Sequence, residues 1–64
     1  MTDEQKKSIL DAYNSASANE DRYADSNSRK SAKYDGVQYG IEKTIRALGM
    51  DIKFDDNGNA IDIR

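Results

Sequence analysis

Leu48-Gly49-Met50-Asp51-Ile52-Lys53-Phe54-Asp55-Asp56-Asn57-Gly58-Asn59-Ala60-Ile61-Asp62-Ile63-Arg64 is the stretch that decides the fold. Gly49 stands where a helix would end, because a residue just past the last turn adopts a left-handed conformation that glycine takes at no steric cost. Met50 then falls at the position that closes back onto Ile45 in a Schellman motif. Beyond it, Ile52, Phe54, Ile61 and Ile63 must share one face of a β-hairpin. A four-residue loop, Asp56-Asn57-Gly58-Asn59, sets Phe54 opposite Ile61 and Ile52 opposite Ile63. The same register sets Lys53 opposite Asp62 and Asp51 opposite Arg64, two opposite-charge pairs each worth a few tenths of a kcal/mol. A three-residue loop would set Phe54 against Ala60 and Ile52 against Asp62, breaking both patterns, so four is the expectation.

Upstream the chain reads as helical. Thr2-Asp3-Glu4-Gln5 has the form of a capping box, with Asp3 and Glu4 placed to favour the positive end of the dipole. Ile9, Tyr13, Ala16, Glu20 and Tyr23 follow helical spacing, with Leu10, Ser17 and Ala24 beside them. A first helix is predicted from Asp3 to about Asp25. Asp25-Ser26-Asn27-Ser28 is the best break, because short polar side chains compete for backbone hydrogen bonds, and Asn27 or Ser28 would cap the next helix; a break near Asn19-Glu20 and one continuous helix, which no proline forbids, are the alternatives. A second helix is predicted from about Ser28 to Leu48, with Tyr34, Val37, Ile41, Ile45 and Leu48 as its apolar stripe. Gly36 and Gly40 lie beside that stripe and each costs about 1 kcal/mol of helix propensity against Ala. Their spacing predicts that another backbone comes close, either helix 1 at Ala12, Ala16 and Ser17 or a second copy. The fold class is α+β: a two-helix hairpin followed by a two-stranded antiparallel β-hairpin (about 51–64), all in one domain spanning 1–64.

Composition bounds the function. With 64 residues, 36% hydrophobic and 34% charged, the core must be small, and no cysteine is present to reinforce it. A homodimer is one source of the missing stability. Without His or Cys the chain lacks the usual general base, the usual zinc ligands and a thiol nucleophile. Ser26, Ser28 and Ser31 have no His to activate them. Asp55-Asp56-Asn57-Gly58-Asn59 does not match a calcium loop, which needs its glycine at the sixth position and a glutamate at the twelfth. No catalytic, cofactor-binding or metal-binding residue is assigned; the expectation is a protein that is not an enzyme. No leader pattern or membrane span is read in the chain, and a cytoplasmic location, in a bacterial host, is expected.

Charge is unevenly placed. Residues 1–28 balance at −3, residues 29–48 at +3 and residues 49–64 at −2. An acidic helix 1 pairing with a basic helix 2 is the plain reading; the sharper one is a basic face for an acidic partner or phosphate. Between Ser15 and Lys33 the only bulky apolar residue is Tyr23, so the turn end of the helical hairpin is expected to project with little core beneath it. Tyr23 and Tyr39 lack obvious burial, and exposed tyrosine among charges is the usual composition of a protein–protein hot spot. The candidate partner-binding residues are Tyr23, Tyr39, Arg29, Lys30, Lys43 and Arg46. Nucleic acid ranks behind protein as the partner, because the sequence pI is near 4.9.

The segments Tyr34-Asp35-Gly36-Val37-Gln38-Tyr39-Gly40-Ile41, Ala47-Leu48-Gly49-Met50-Asp51-Ile52 and Asp56-Asn57-Gly58-Asn59-Ala60-Ile61 resemble small accessory proteins of phages and prophages from Gram-positive bacteria. The likeness runs from Tyr34 on and rests on structural punctuation. It implies a setting in which small acidic proteins bind host proteins, inhibitors of bacterial defence such as anti-CRISPR proteins among them. The expected function is therefore a small non-enzymatic protein that inhibits a host defence protein by direct binding. The alternatives are a dimeric nucleic-acid-binding regulator and a small structural or assembly protein.

Overall fold

A computed structural model describes residues 1–64. Helix α1 spans Asp3–Tyr23, α2 spans Ser28–Ala47, and strands β1 (Ile52–Phe54) and β2 (Ala60–Ile63) form an antiparallel pair. The ααββ order is the one expected.

The helix ends follow from the local chemistry. Gln5 N–H donates to Thr2 Oγ1 at 3.1 Å while Thr2 N–H donates to Gln5 Oε1 at 2.8 Å, the reciprocal capping box. Asn27 caps α2 by accepting from Lys30 N–H at 3.1 Å. At the far end Met50 N–H donates to Ile45 O at 3.1 Å and Gly49 N–H to Arg46 O at 2.9 Å. With Gly49 at φ 77°, that is a Schellman closure.

The hairpin departs from expectation in the half nearest its turn. Ile52 pairs with Ile63 and Lys53 with Asp62, and Asp51 and Arg64 exchange both backbone bonds at 3.0 Å, as the pattern demanded. Phe54, however, pairs with Ala60 and not with Ile61. Gly58 N–H donates to Asp55 O at 3.1 Å and Asp55 N–H to Asn59 O at 2.9 Å, so the loop closes over Asp56-Asn57-Gly58 with Gly58 at φ 83°. A left-handed glycine in this place makes the shorter loop. The register is then restored by a bulge that leaves Ile61 as the extra residue. Ile61 is turned outward, 56% exposed, while Ala60 and Ile63 are buried. Nor do the facing charges pair across the strands. Asp62 instead meets Lys6 of α1 at 3.7 Å and Arg64 Nε at 3.5 Å.

The core is small: Tyr13, Ala16, Ile45, Ala60 and Ile63 are the buried residues. The two helices lie against each other, with β2 over α1. Tyr13 donates through its hydroxyl to Glu42 Oε1 at 2.6 Å, and the Tyr13 and Phe54 rings meet at 5.6 Å between centroids. Polar contacts also join the two helices. Ser31 Oγ donates to Glu20 O at 3.3 Å; Gln38, with its amide turned so that donors meet acceptors, donates to Glu20 Oε2 and accepts from Ser17. No ion pair joins the two helices, so the acidic-against-basic pairing expected of them is not how they are held.

Two expectations about α2 are corrected. Its inward row is Ser31, Tyr34, Gln38, Ile41 and Ile45, whereas Val37 is 40% and Leu48 61% exposed. Gly36 and Gly40 face open space, with nothing within 4 Å of where a Cβ would stand. They are not a close approach to α1, whose Ser17 meets Gln38 instead.

Candidate functional site

Helical periodicity fixes which side chains of α2 can reach a partner. At about 100° per residue, Tyr39, Lys43 and Arg46 project on one flank, next to Glu42, which borders β1. Tyr39 is 59% exposed, and Lys43 Nζ lies 5.3 Å from its ring centroid, within range of cation–π attraction. Arg46 continues the flank to a shallow cleft of about 50 Å³ lined with Glu42, Asp51, Ile52 and Phe54. Phe54 is 46% exposed at its edge, so an aromatic surface adjoins the basic one.

That cleft is far below the roughly 300–1,000 Å³ of small-molecule sites. The other concavity, over Thr2, Glu4, Gln5, Ser8 and Ile9, is an open depression on the first turns of α1. No group of three or more His, Cys, Asp or Glu side chains is placed to hold a metal ion. Asp55 is folded into its own turn, accepting at Oδ1 from the N–H groups of Asn57 and Asn59 at 2.9 Å each. Those bonds, that of Asn59 foremost, hold its carboxyl below the ordinary value. The Tyr13 phenol is pushed up to about 12, first by burial and then by its bond to the Glu42 carboxylate. Both shifts belong to structural groups.

The expected partner residues separate into two places. Tyr39, Lys43 and Arg46 come together as described. Tyr23, Arg29 and Lys30 sit at the turn between the helices, and there Tyr23 is already occupied. Its ring stacks on Tyr34 at 6.2 Å with an interplanar angle of 12°, Lys30 Nζ sits 4.8 Å from its centroid and Arg22 Cζ 5.6 Å. This stack and the Ser31–Glu20 bond tie down the turn end, which carries more internal anchoring than its lack of aliphatic residues suggested. Arg29 is exposed at the start of α2.

Sequence reasoning missed Asn14. Its Nδ2 donates to Ala60 O at 2.9 Å and its Oδ1 accepts from Ala60 N–H at 2.8 Å. The side chain thus pairs both outward backbone groups of Ala60, the first residue of β2. The place of Asn14 at helical spacing among Leu10, Tyr13 and Ser17 on the inward side of α1 was the one available signal.

Comparisons with protein-family models, with curated proteins and with solved structures found no match for this chain. No helix is long and apolar enough to cross a membrane.

Proposed function

We propose that this protein is a non-enzymatic binding module that acts by covering a surface of another protein. The observation that carries the reading is the Tyr39–Lys43–Arg46 flank of α2: an exposed aromatic ring under a lysine, continued by an arginine and the exposed edge of Phe54. Tyr and Arg are the side chains that most often anchor such contacts. The absence of an enclosed cavity leaves surface recognition as the mode that the shape supports. The partner that best fits the resemblance from Tyr34 onward is a bacterial host protein, with defence proteins the leading class, met in the host cytoplasm.

The nucleic-acid alternative is weakened by the way the cations are spread. Lys33 and Arg46 lie roughly 140° apart around α2, so they do not form one phosphate-tracking row. A structural or assembly role would instead show as a large fixed oligomer.

The test is capture from bacterial lysate with tagged chain, run beside a Tyr39→Ala/Arg46→Glu variant of unchanged circular dichroism. One stoichiometric protein retained by the parent and lost by the variant is expected. Equal capture by both, or none by the parent, would overturn the assignment. A steep salt dependence of DNA binding would favour the nucleic-acid reading.

A further inference from the structure

The hairpin turn carries an Asn-Gly pair whose reacting groups are left free. Asn57 is exposed, and its side-chain amide is bonded to nothing in the chain; only its backbone N–H is engaged, on Asp55 Oδ1 at 2.9 Å. Gly58 follows at φ 83°, with nothing within 4 Å of where a Cβ would stand. Asparagine is thermolabile because its carboxamide can be attacked by the main-chain nitrogen of the next residue. A side chain on that next residue obstructs the attack, and glycine has none.

The other asparagines are held. Asn14 and Asn19 lie inside α1, where the nitrogen that follows each belongs to the helix ladder. The Asn14 amide is also committed to Ala60. Asn27 Oδ1 accepts from Lys30 N–H at 3.1 Å, and a serine follows it. Asn59 Nδ2 lies 3.5 Å from Asp55 Oδ2, and the nitrogen it would need, that of Ala60, donates to Asn14 Oδ1 at 2.8 Å.

We infer that Asn57 is a self-modification site: the chain deamidates there through a succinimide, and the isoaspartate that results opens the hairpin turn. The Gly58 nitrogen bonds to Asn57 Cγ, the Cγ–Nδ2 bond breaks, and ammonia leaves with the proton that Gly58 gives up. Water then opens the ring. Opening at Cγ gives aspartate with the main chain unchanged. Opening at the main-chain carbonyl carbon of Asn57 gives isoaspartate, with the chain rerouted through Cγ and longer by a methylene. One hydrogen bond stands in the way: Gly58 N–H donates to Asp55 O at 3.1 Å and must be released before the attack. An exposed bond of this kind is worth little net, so the folded turn slows the reaction by no more than about tenfold against the unfolded chain.

The turn has no slack for the isoaspartate. Asp55 N–H donates to Asn59 O at 2.9 Å across the loop, while Asp55 Oδ1 accepts from Asn57 and Asn59 N–H at 2.9 Å each. An added methylene between Asn57 and Gly58 breaks the spacing that lets one carboxylate reach both donors. The new carboxylate also stands beside Asp55 and Asp56 in a chain already at −2. None of this depends on whether the α2 flank binds a protein.

Incubation of the purified chain in warm, mildly alkaline buffer, followed by peptide mass mapping with fragmentation that separates isoaspartate from aspartate, tests the inference. A gain of about 1 Da, an amide exchanged for an acid, should appear at Asn57 before any other asparagine. Its rate should lie within about tenfold of the rate in concentrated urea. Gly58→Ala should slow the reaction both in buffer and in urea, so a turn altered by that substitution cannot mask the answer. In the isoaspartate form, isolated by anion exchange, amide protection at Asp55 and Asn59 should be lost, whereas Asn57→Asp, with its normal backbone, should keep it. Modification first at another asparagine, a folded rate lower by more than about tenfold, a rate indifferent to Gly58→Ala, or protection retained in the isoaspartate form would overturn the inference.

Discussion

Asn14 holds Ala60 by both of its backbone groups, donating to the carbonyl at 2.9 Å and accepting from the N–H at 2.8 Å. This is the pairing that a third strand would supply, delivered from a helix by one amide. It binds the hairpin to α1 at the first residue of β2. Asn14→Ala should cost about 1–3 kcal/mol, because a buried residue's two backbone groups lose their partners. Denaturant unfolding measures the loss, and amide exchange should quicken at Ala60 before it does in α2. A loss below about 0.5 kcal/mol would mean that the clamp is not formed in solution.

Tyr13 makes stability sensitive to alkali. Its folded-state value, pushed up to about 12 by burial and the Glu42 carboxylate, lies above the ordinary 10. Folding therefore favours the neutral phenol. The associated stability, of the order of 3 kcal/mol, is fully present below pH 10 and disappears as pH rises through 12. Thermal melts between those limits should show the fall. Tyr13→Phe should be less stable at neutral pH for want of the bond to Glu42, yet show no comparable fall in that window.

At the hairpin turn the sign is opposite. Asp55 is held below its ordinary 3.8 by the N–H groups it accepts, so its contribution is present above that value and is lost as pH falls further. The amide resonances of Asn57 and Asn59 should titrate together, with an apparent midpoint below 3.8. Independent midpoints, or one at or above 3.8, would contradict the shared carboxylate.

Glycines in this chain should answer differently to alanine. Gly49 sits at φ 77°, where a Cβ is strained, and Gly49→Ala should destabilise by about 1–2 kcal/mol. Gly36 and Gly40 have no positive φ and face open space, so alanine there should stabilise the single chain by about 0.5–1 kcal/mol each. Unfolding measured at high dilution, where association does not contribute, gives the comparison.

How far the sequence was legible depends on how local the cause is. The capping box at Thr2 and the closure through Gly49 and Met50 are set by residues within six positions of one another and form as read, and of the two caps open to α2 the structure uses Asn27. The inward face of α2 was read from apolar character alone, and the structure instead turns Gln38 and Ser31 inward because Ser17 and Glu20 offer them partners. Polar matching across two helices leaves no period in one sequence. The candidate site was half legible. Tyr39, Lys43 and Arg46 share a flank by simple spacing, but nothing nearby in sequence could show that Tyr34 would occupy the ring of Tyr23.

The hairpin supplies the sharpest test of that distinction, because apolar alternation and turn chemistry disagreed there and turn chemistry prevailed. Alternation placed Ile61 inward opposite Phe54; the left-handed Gly58 shortened the loop and the bulge turned Ile61 out. The two isoleucines of β2 should therefore behave unequally. Ile63 is fully buried, and Ile63→Ala should cost about 2–5 kcal/mol. Ile61, 56% exposed, should accept Thr with a change within about 0.5 kcal/mol. If Ile61→Thr cost as much as Ile63→Ala, Ile61 would be a core residue and the regular register, with Phe54 opposite it, would be the one populated in solution.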